Sequence, residues 1–252
     1  MFWILFLLLA WAGVLTSATR LLRAATEAAE PPPRPAPARR QGTLSLYEAA
    51  YLAGGPERVA VLTLLSMERR HRLLLARTGW ATVLDPVGRD DHERAVLGAF
   101  GPDGQSPVSA VRRAAAAHAA VAALADRLAG AGLAVPRAVR EAVAEGVRSV
   151  QGAAVLVVAM AGASLAVPAD GADVAKVLYW FALPMLLAVC CLAVAGAGGP
   201  ARSPWASPAG RRLLAALERD RAGADPLAAV AIGGLRAVRD PDLRAALGRD
   251  TP

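Results

Sequence analysis

Few residues in this chain have the types and spacing that chemistry requires. The three histidines, His71, His92 and His118, are far apart and fit no ligand spacing of the HExxH kind. Asp90-Asp91-His92-Glu93 is the densest acidic group and could attract a cation. It coincides with an expected helix start, where carboxylates interact favourably with the dipole, so N-terminal capping is its expected role. Gly54-Gly55-Pro56 lies in neither a GxxxxGK[ST] nor a GxGxxG frame, and no phosphate loop is expected there. No serine stands in GxSxG and no cysteine near a histidine. Cys190 and Cys191 are adjacent within an apolar stretch, where they act as small apolar residues and offer no disulfide framework. The expectation is a protein that is not an enzyme, with no catalytic residue, metal site, cofactor or small-molecule substrate.

What remains is a surface rather than a reaction centre. Tyr47 and Tyr51 lie four apart on one helical face with Glu48 beside them. Either both rings pack on the helix that follows, or Tyr47, Glu48 and Tyr51 form a face for a protein partner.

The elements that must position these residues are mostly helices. Residues 150–168 and 177–199 carry no charge, and each is about the 20 apolar residues that a hydrocarbon layer of roughly 30 Å demands. Only Ala169-Asp170-Gly171-Ala172-Asp173 separates the two apolar runs before Val174, so residues 150–199 read as a transmembrane hairpin. Residues 1–22 read as a third span. Its first positive charges, Arg20 and Arg23, follow the apolar run, which is the order of a signal anchor with its N-terminus outside; a cleaved signal peptide is the competing reading. Lys176 is the only ionised group within the spans and sits close enough to the turn to reach water, so no transport pathway is expected. Gly162 with Ala166, and Ala193 with Ala197, have the small-xxx-small spacing of close helix contacts.

Net charge is +5 over residues 1–149, −1 over 150–199 and +3 over 200–252, a distribution that places both flanks of the hairpin in the cytoplasm. The arginines are scattered among acids rather than clustered with aromatics, so nucleic acid is not the expected partner.

Residues 23–43 form a Pro-rich linker, a semi-rigid spacer. Residues 44–135 form the soluble domain. A short helix ends at Gly54, and a wide-faced apolar helix over 56–70 starts on Pro56. Two short strands over 72–77 and 80–84 flank a turn at Thr78-Gly79. A helix over 90–100 follows, and Ser106-Pro107 caps an alanine-rich helix to Ala129 with Val111, His118, Val121, Ala125 and Leu128 on its inner face. Residues 136–149 form an amphipathic lead-in helix, and 200–252 a helical tail in three pieces, two of them capped by Asp225-Pro226 and Asp240-Pro241. The order helix, helix, hairpin is winged-helix-like.

The string Leu46-Tyr47-Glu48-Ala49-Ala50-Tyr51-Leu52-Ala53-Gly54-Gly55-Pro56, followed by Arg58-Val59, resembles the opening signature of an uncharacterised family of actinobacterial membrane proteins. Val230-Ala231-Ile232-Gly233-Gly234-Leu235 with Asp240-Pro241-Asp242-Leu243 is similar to that family's C-terminal segment. The resemblance implies an N-terminal span, a soluble segment, a paired span and a short tail, and it carries no activity and no catalytic residues. Arginine outnumbering lysine 27 to one fits a GC-rich genome of that kind.

The expectation is therefore a mainly α, multi-pass protein of the bacterial plasma membrane, N-terminus outside and C-terminus cytoplasmic. Its partners are the lipid bilayer and a protein that docks on the winged-helix-like domain. The alternative is a membrane-tethered winged-helix DNA-binding regulator.

Overall fold

The computed structural model describes residues 2–29, 44–166, 174–196, 203–221 and 225–249. Among them the chain is mainly helical, with ten α-helices and one three-stranded sheet, and it divides into two compact units. The expected Pro-rich linker beyond Ala29, the acidic turn at 169–173 and the Gly-rich stretch at 197–202 lie outside the described residues.

The first unit is a bundle of α1 (Phe2–Ala29), α6 (Arg137–Ala166) and α7 (Val174–Gly196). Ala10, Val14, Ala18 and Leu21 recur at helical spacing along one side of α1 and are buried, as are Val150, Ala153 and Val157 of α6 and Phe181 and Ala188 of α7. Ser17 and Ser149 share a hydrogen bond of 2.9 Å between α1 and α6. Gly13 lies against Leu156, and Gly146 against Leu21. Since partners on α6 fall in number as those on α1 rise, the two helices run antiparallel. Leu5–Arg23 and Arg137–Ser164 are long and apolar enough to cross a membrane; the apolar part of α7, Tyr179–Val194, is shorter.

Two expectations about this unit are corrected. The lead-in over 136–149 is not a separate element: α6 runs unbroken from Arg137 to Ala166, because Gly146 and Gly152 each cost only about 1 kcal/mol in a helix and no proline interrupts. Among the described residues, none comes within 4 Å of a Cβ built on Gly162, which is exposed. Close helix contact occurs at Gly146, where a Cβ would stand 3.1 Å from the Leu21 backbone. Gly146→Leu should therefore push α1 off α6. In a chain with Cys190 and Cys191 replaced by alanine, a Ser17→Cys, Ser149→Cys pair should cross-link under oxidation, and adding Gly146→Leu should abolish the cross-link.

The second unit is built around α2 (Leu46–Arg69). Ser45 and Glu48 form a capping box: the Ser45 hydroxyl accepts from the Glu48 N–H at 3.2 Å, and the Glu48 carboxylate accepts from the Ser45 N–H at 3.0 Å. The break expected at Gly54-Gly55-Pro56 is present as a kink that joins the two halves of α2, with Gly55 non-helical at φ 73° and ψ −161°. Beyond it, every residue from Val59 to Met67 is buried, so this half of α2 lies deep in the unit, as its apolar breadth implied.

Strands β1 (Leu73–Leu75) and β2 (Trp80–Val83) pair antiparallel, Leu73 opposite Val83 and Leu75 opposite Ala81, around a turn with Gly79 at φ 88°. Helix α3 (Asp91–Leu97) follows, capped by Asp90, whose carboxylate accepts from the Glu93 N–H at 2.7 Å. Ser106-Pro107, expected to open the alanine-rich helix, instead belongs to a third strand, β3 (Gln105–Pro107), paired with β2. The proline is tolerated there because β3 is an edge strand.

The alanine-rich helix is also two helices, α4 (Val108–Ala117) and α5 (Ala119–Gly130). His118 breaks it with an extended backbone, and its Nδ1 accepts from the Ala120 N–H at 3.2 Å. It is exposed rather than on the buried face with Val111, Val121 and Leu128.

The tail comprises α8 (Pro208–Arg221), α9 (Pro226–Gly233), a 3-10 turn (Gly234–Ala237) and α10 (Pro241–Gly248), with Asp225 and Asp240 capping as expected. It belongs to the core rather than to an appendage. Val230, Val238 and Leu247 pack with Leu64, Met67, Leu73 and Val111 in one apolar cluster. Ala206, Leu214 and Leu217 pack with Tyr51, Leu62, Leu124 and Leu128 in the other.

Candidate functional site

The segments near residues 46–59 and 230–243 meet in the fold. Arg58, one turn past the kink, extends its guanidinium to the end of α9, where Nη1 donates to the Ile232 carbonyl at 2.6 Å. Unpaired carbonyls at a helix C-terminus favour a cation, so the contact caps α9 from another part of the chain. Gly234 follows at φ 67°, and a Cβ there would stand 2.7 Å from the guanidinium. Half-burial lowers the Arg58 pKa.

Gly55 meets Trp205 in the same way. A Cβ on Gly55 would lie 2.2 Å from the indole, and the indole also stands edge-on to the Tyr51 ring, centroids 5.5 Å apart. Backbone pairing fixes the tryptophan: Ala134 bridges Ala206, the Val135 N–H donates to the Trp205 carbonyl and the Ser207 N–H to the Leu133 carbonyl, both at 2.9 Å. The Ser207 hydroxyl adds a bond to the Gly132 carbonyl at 2.7 Å. The segment before α8 is thus stapled to the end of α5, with its indole in the kink of α2.

Of the three expected docking residues, Glu48 is the capping-box partner and Tyr51 is 2% exposed beneath Trp205. Tyr47 is half-buried, its ring 4.4 Å from that of His92, and its hydroxyl donates to Asp90 at 3.0 Å. The face they share is turned to the chain's own tail and to α3.

The acidic group at 90–93 divides its work. Asp90 caps α3, but Glu93 is fully buried and accepts from Arg72 Nη1 at 2.5 Å, from the Arg89 N–H at 2.8 Å and from Arg70 Nη1 at 3.2 Å. Arg72, 3% exposed, also donates from Nε to Asp85 at 2.9 Å. The Asp85 carboxyl is held below its ordinary range by the Val87 N–H and then by Arg72. The spacing Asp90-x-x-Glu93 reads as a cap in sequence. What it hides is that the third residue of α3 turns inward, and the buried arginine opposite it was the signal that could not be placed without the β1–β2 register.

The phenol of Tyr47 is held above its ordinary range, first by burial and then by the Asp90 charge. A phenol with a raised folded pKa contributes stability that is present below its unfolded value, about pH 10, and lost as pH rises further. Tyr47→Phe should cost about 1 kcal/mol at neutral pH through the lost hydrogen bond. It should also flatten the alkaline decline, which melting midpoints between pH 7 and pH 11 would register. His92 is pushed down, first by burial and against the pull of Asp90 and Asp91. Its contribution is present above about pH 6.5 and fades on acidification.

Among the described residues, no three His, Cys, Asp or Glu side chains converge as a metal site would require. No protein-family model, curated protein or solved structure matches the chain. The arrangement is one of binding and closure: two aromatic rings, a guanidinium and two close-approach glycines hold the tail against α2.

Proposed function

We propose that this is a three-span protein of the bacterial plasma membrane, N-terminus outside, whose winged-helix-like soluble unit faces the cytoplasm and acts through contacts with a protein partner. The observation that carries this reading is the composition of the second unit's core, to which residues before α6 and after α7 both contribute. Two segments sharing one core must lie on one side of a bilayer. Helices α6 and α7 therefore both cross or both stay out, and staying out would leave Val155, Val158, Leu186 and Val189 in water.

Orientation follows from charge. The antiparallel pairing of α1 with α6 brings Arg20 and Arg23 to the same end of the bundle as Arg140 and Arg148, and the end rich in arginine belongs inside. Tyr179 and Trp180, both exposed at the start of α7, suit the opposite interface. The resemblance to actinobacterial membrane proteins implies the same organisation and is one ground for proposing it.

Two measurements test the reading. The chain should stay with membranes through alkaline carbonate washing. Purified in nanodiscs, it should ignore duplex DNA at moderate salt; binding with a steep salt dependence would replace the protein-contact reading with that of a tethered DNA-binding regulator.

A further inference from the structure

The break between α4 and α5 falls where local sequence gives no reason for one. Residues 114–120 are alanine except for His118, with no glycine or proline, and alanine is the best helix former. Yet the backbone at His118 is extended, with φ −69° and ψ 149°. Packing asks for the bend, since Val108, Val111 and Ala115 of α4 belong to one apolar cluster and Val121, Leu124 and Leu128 of α5 to the other. The imidazole completes it. His118 Nδ1 accepts from the Ala120 N–H at 3.2 Å, the role that a side-chain oxygen of serine, threonine, asparagine or aspartate takes at most helix starts.

A histidine in that role differs from the other four in one respect. Nδ1 accepts only while it carries no proton, so the cap disappears when the ring becomes an imidazolium. The cation then also stands at the positive end of the α5 dipole. Both effects weaken the first turn of α5 as pH falls through the range in which imidazoles titrate, between about pH 5 and 8.

A second histidine faces the same corner. Helix α3 packs on α5, and its His92 lies near enough to His118 that positive charge on either ring opposes charge on the other. The His92 ring rests on Tyr47 of α2, and its Nδ1 is buried with no hydrogen-bond partner among the described residues. Arg127 of α5 adds to the repulsion, while Asp90 and Asp91 of α3 oppose it. Both carboxylates are already engaged, Asp90 by the Tyr47 hydroxyl and the Glu93 N–H and Asp91 by Arg94. The corner suits two neutral rings.

We propose that the meeting point of α3 with the start of α5 is an acid-sensitive joint. His118 is a titratable cap that holds the first turn of α5 at neutral pH and releases it on acidification, and His92 brings a second charge to the same corner. Val121 sits in that turn and packs in the cluster that contains Tyr51, so the release loosens one edge of that cluster.

Hydrogen exchange of the full chain in nanodiscs, at about pH 7.5 and about pH 5.5, tests this. Rates are expressed as protection factors, so that the intrinsic effect of pH on exchange cancels. Amides of residues 120–124 should lose protection by about five- to tenfold at the acid pH, the worth of one cap bond and one misplaced charge. Those of residues 59–67 in α2 should keep theirs. His118→Asn, a cap at either pH, should remove the acid effect, and His118→Ala should show the loss already at neutral pH. His92→Gln should reduce the acid effect without abolishing it.

Unchanged protection of 120–124 on acidification would overturn the proposal. So would a His118→Asn protein that still loses it, or a His118→Ala protein that keeps it in full at neutral pH. An equal loss in α2 and α5 would assign the effect to general acid destabilisation instead.

Discussion

Gly55→Ala is expected to destabilise the second unit by about 2–6 kcal/mol, from two sources that can be separated. The backbone at φ 73° and ψ −161° lies in a region that only glycine occupies comfortably, and forcing alanine into it costs about 1–3 kcal/mol. The new methyl would also stand 2.2 Å from the Trp205 indole, and displacing a packed ring costs about 1–3 kcal/mol more. Trp205→Ala alone should cost about 3 kcal/mol through lost packing on Tyr51. In the double variant the collision is gone while the backbone strain persists. The two effects should therefore fall short of additivity by about 1–3 kcal/mol. Melting midpoints of the full chain in detergent would supply the four corners of this cycle. Strict additivity would mean that the tryptophan does not occupy the kink.

Glu93→Gln is the second substitution with a large expected effect. It leaves the Arg72 guanidinium, 3% exposed, with one anionic neighbour where it had two. Removing one partner of a buried ion pair typically costs 3–5 kcal/mol, and the surviving bond to Asp85 places this case near the lower end, about 3 kcal/mol. Replacing both, as Arg72→Met with Glu93→Leu, should recover most of that loss because no buried charge then lacks a partner. A loss below about 1 kcal/mol in the single variant, by the same melting assay, would show that the pair is more solvated than its burial implies.

Local rules carried much of this fold into view from sequence. The capping carboxylates Asp90, Asp225 and Asp240, the kink at Gly55, the hairpin turn at Gly79 and the depth of the helix after Pro56 are all settled within a few residues, where a proline, a glycine or an apolar run decides the backbone. Where distant segments decide, sequence was silent or misleading. Pro107 reads as a helix start, yet β2 claims it as an edge-strand partner. His118 reads as part of a helical face, yet the break between α4 and α5 falls on it. For Tyr51 the sequence leaves packing on the next helix and partner docking both open, and the residue that covers it, Trp205, lies 154 positions away. Gly55 and Gly234 stand out in sequence only as turn formers; their closeness to Trp205 and Arg58 required the tail to be placed.

The proposed placement of the segments before α6 and after α7 on one side of a bilayer is tested most directly by cysteine accessibility in intact cells. In a chain with Cys190 and Cys191 replaced by alanine, single cysteines at Gln41, Gly171 and Thr251 would be challenged with a membrane-impermeant maleimide. Gly171→Cys should react in intact cells, while Gln41→Cys and Thr251→Cys should react only after lysis. Labelling of residue 41 from outside, or reaction of 41 and 251 on opposite sides, would contradict a core shared across the α6–α7 hairpin.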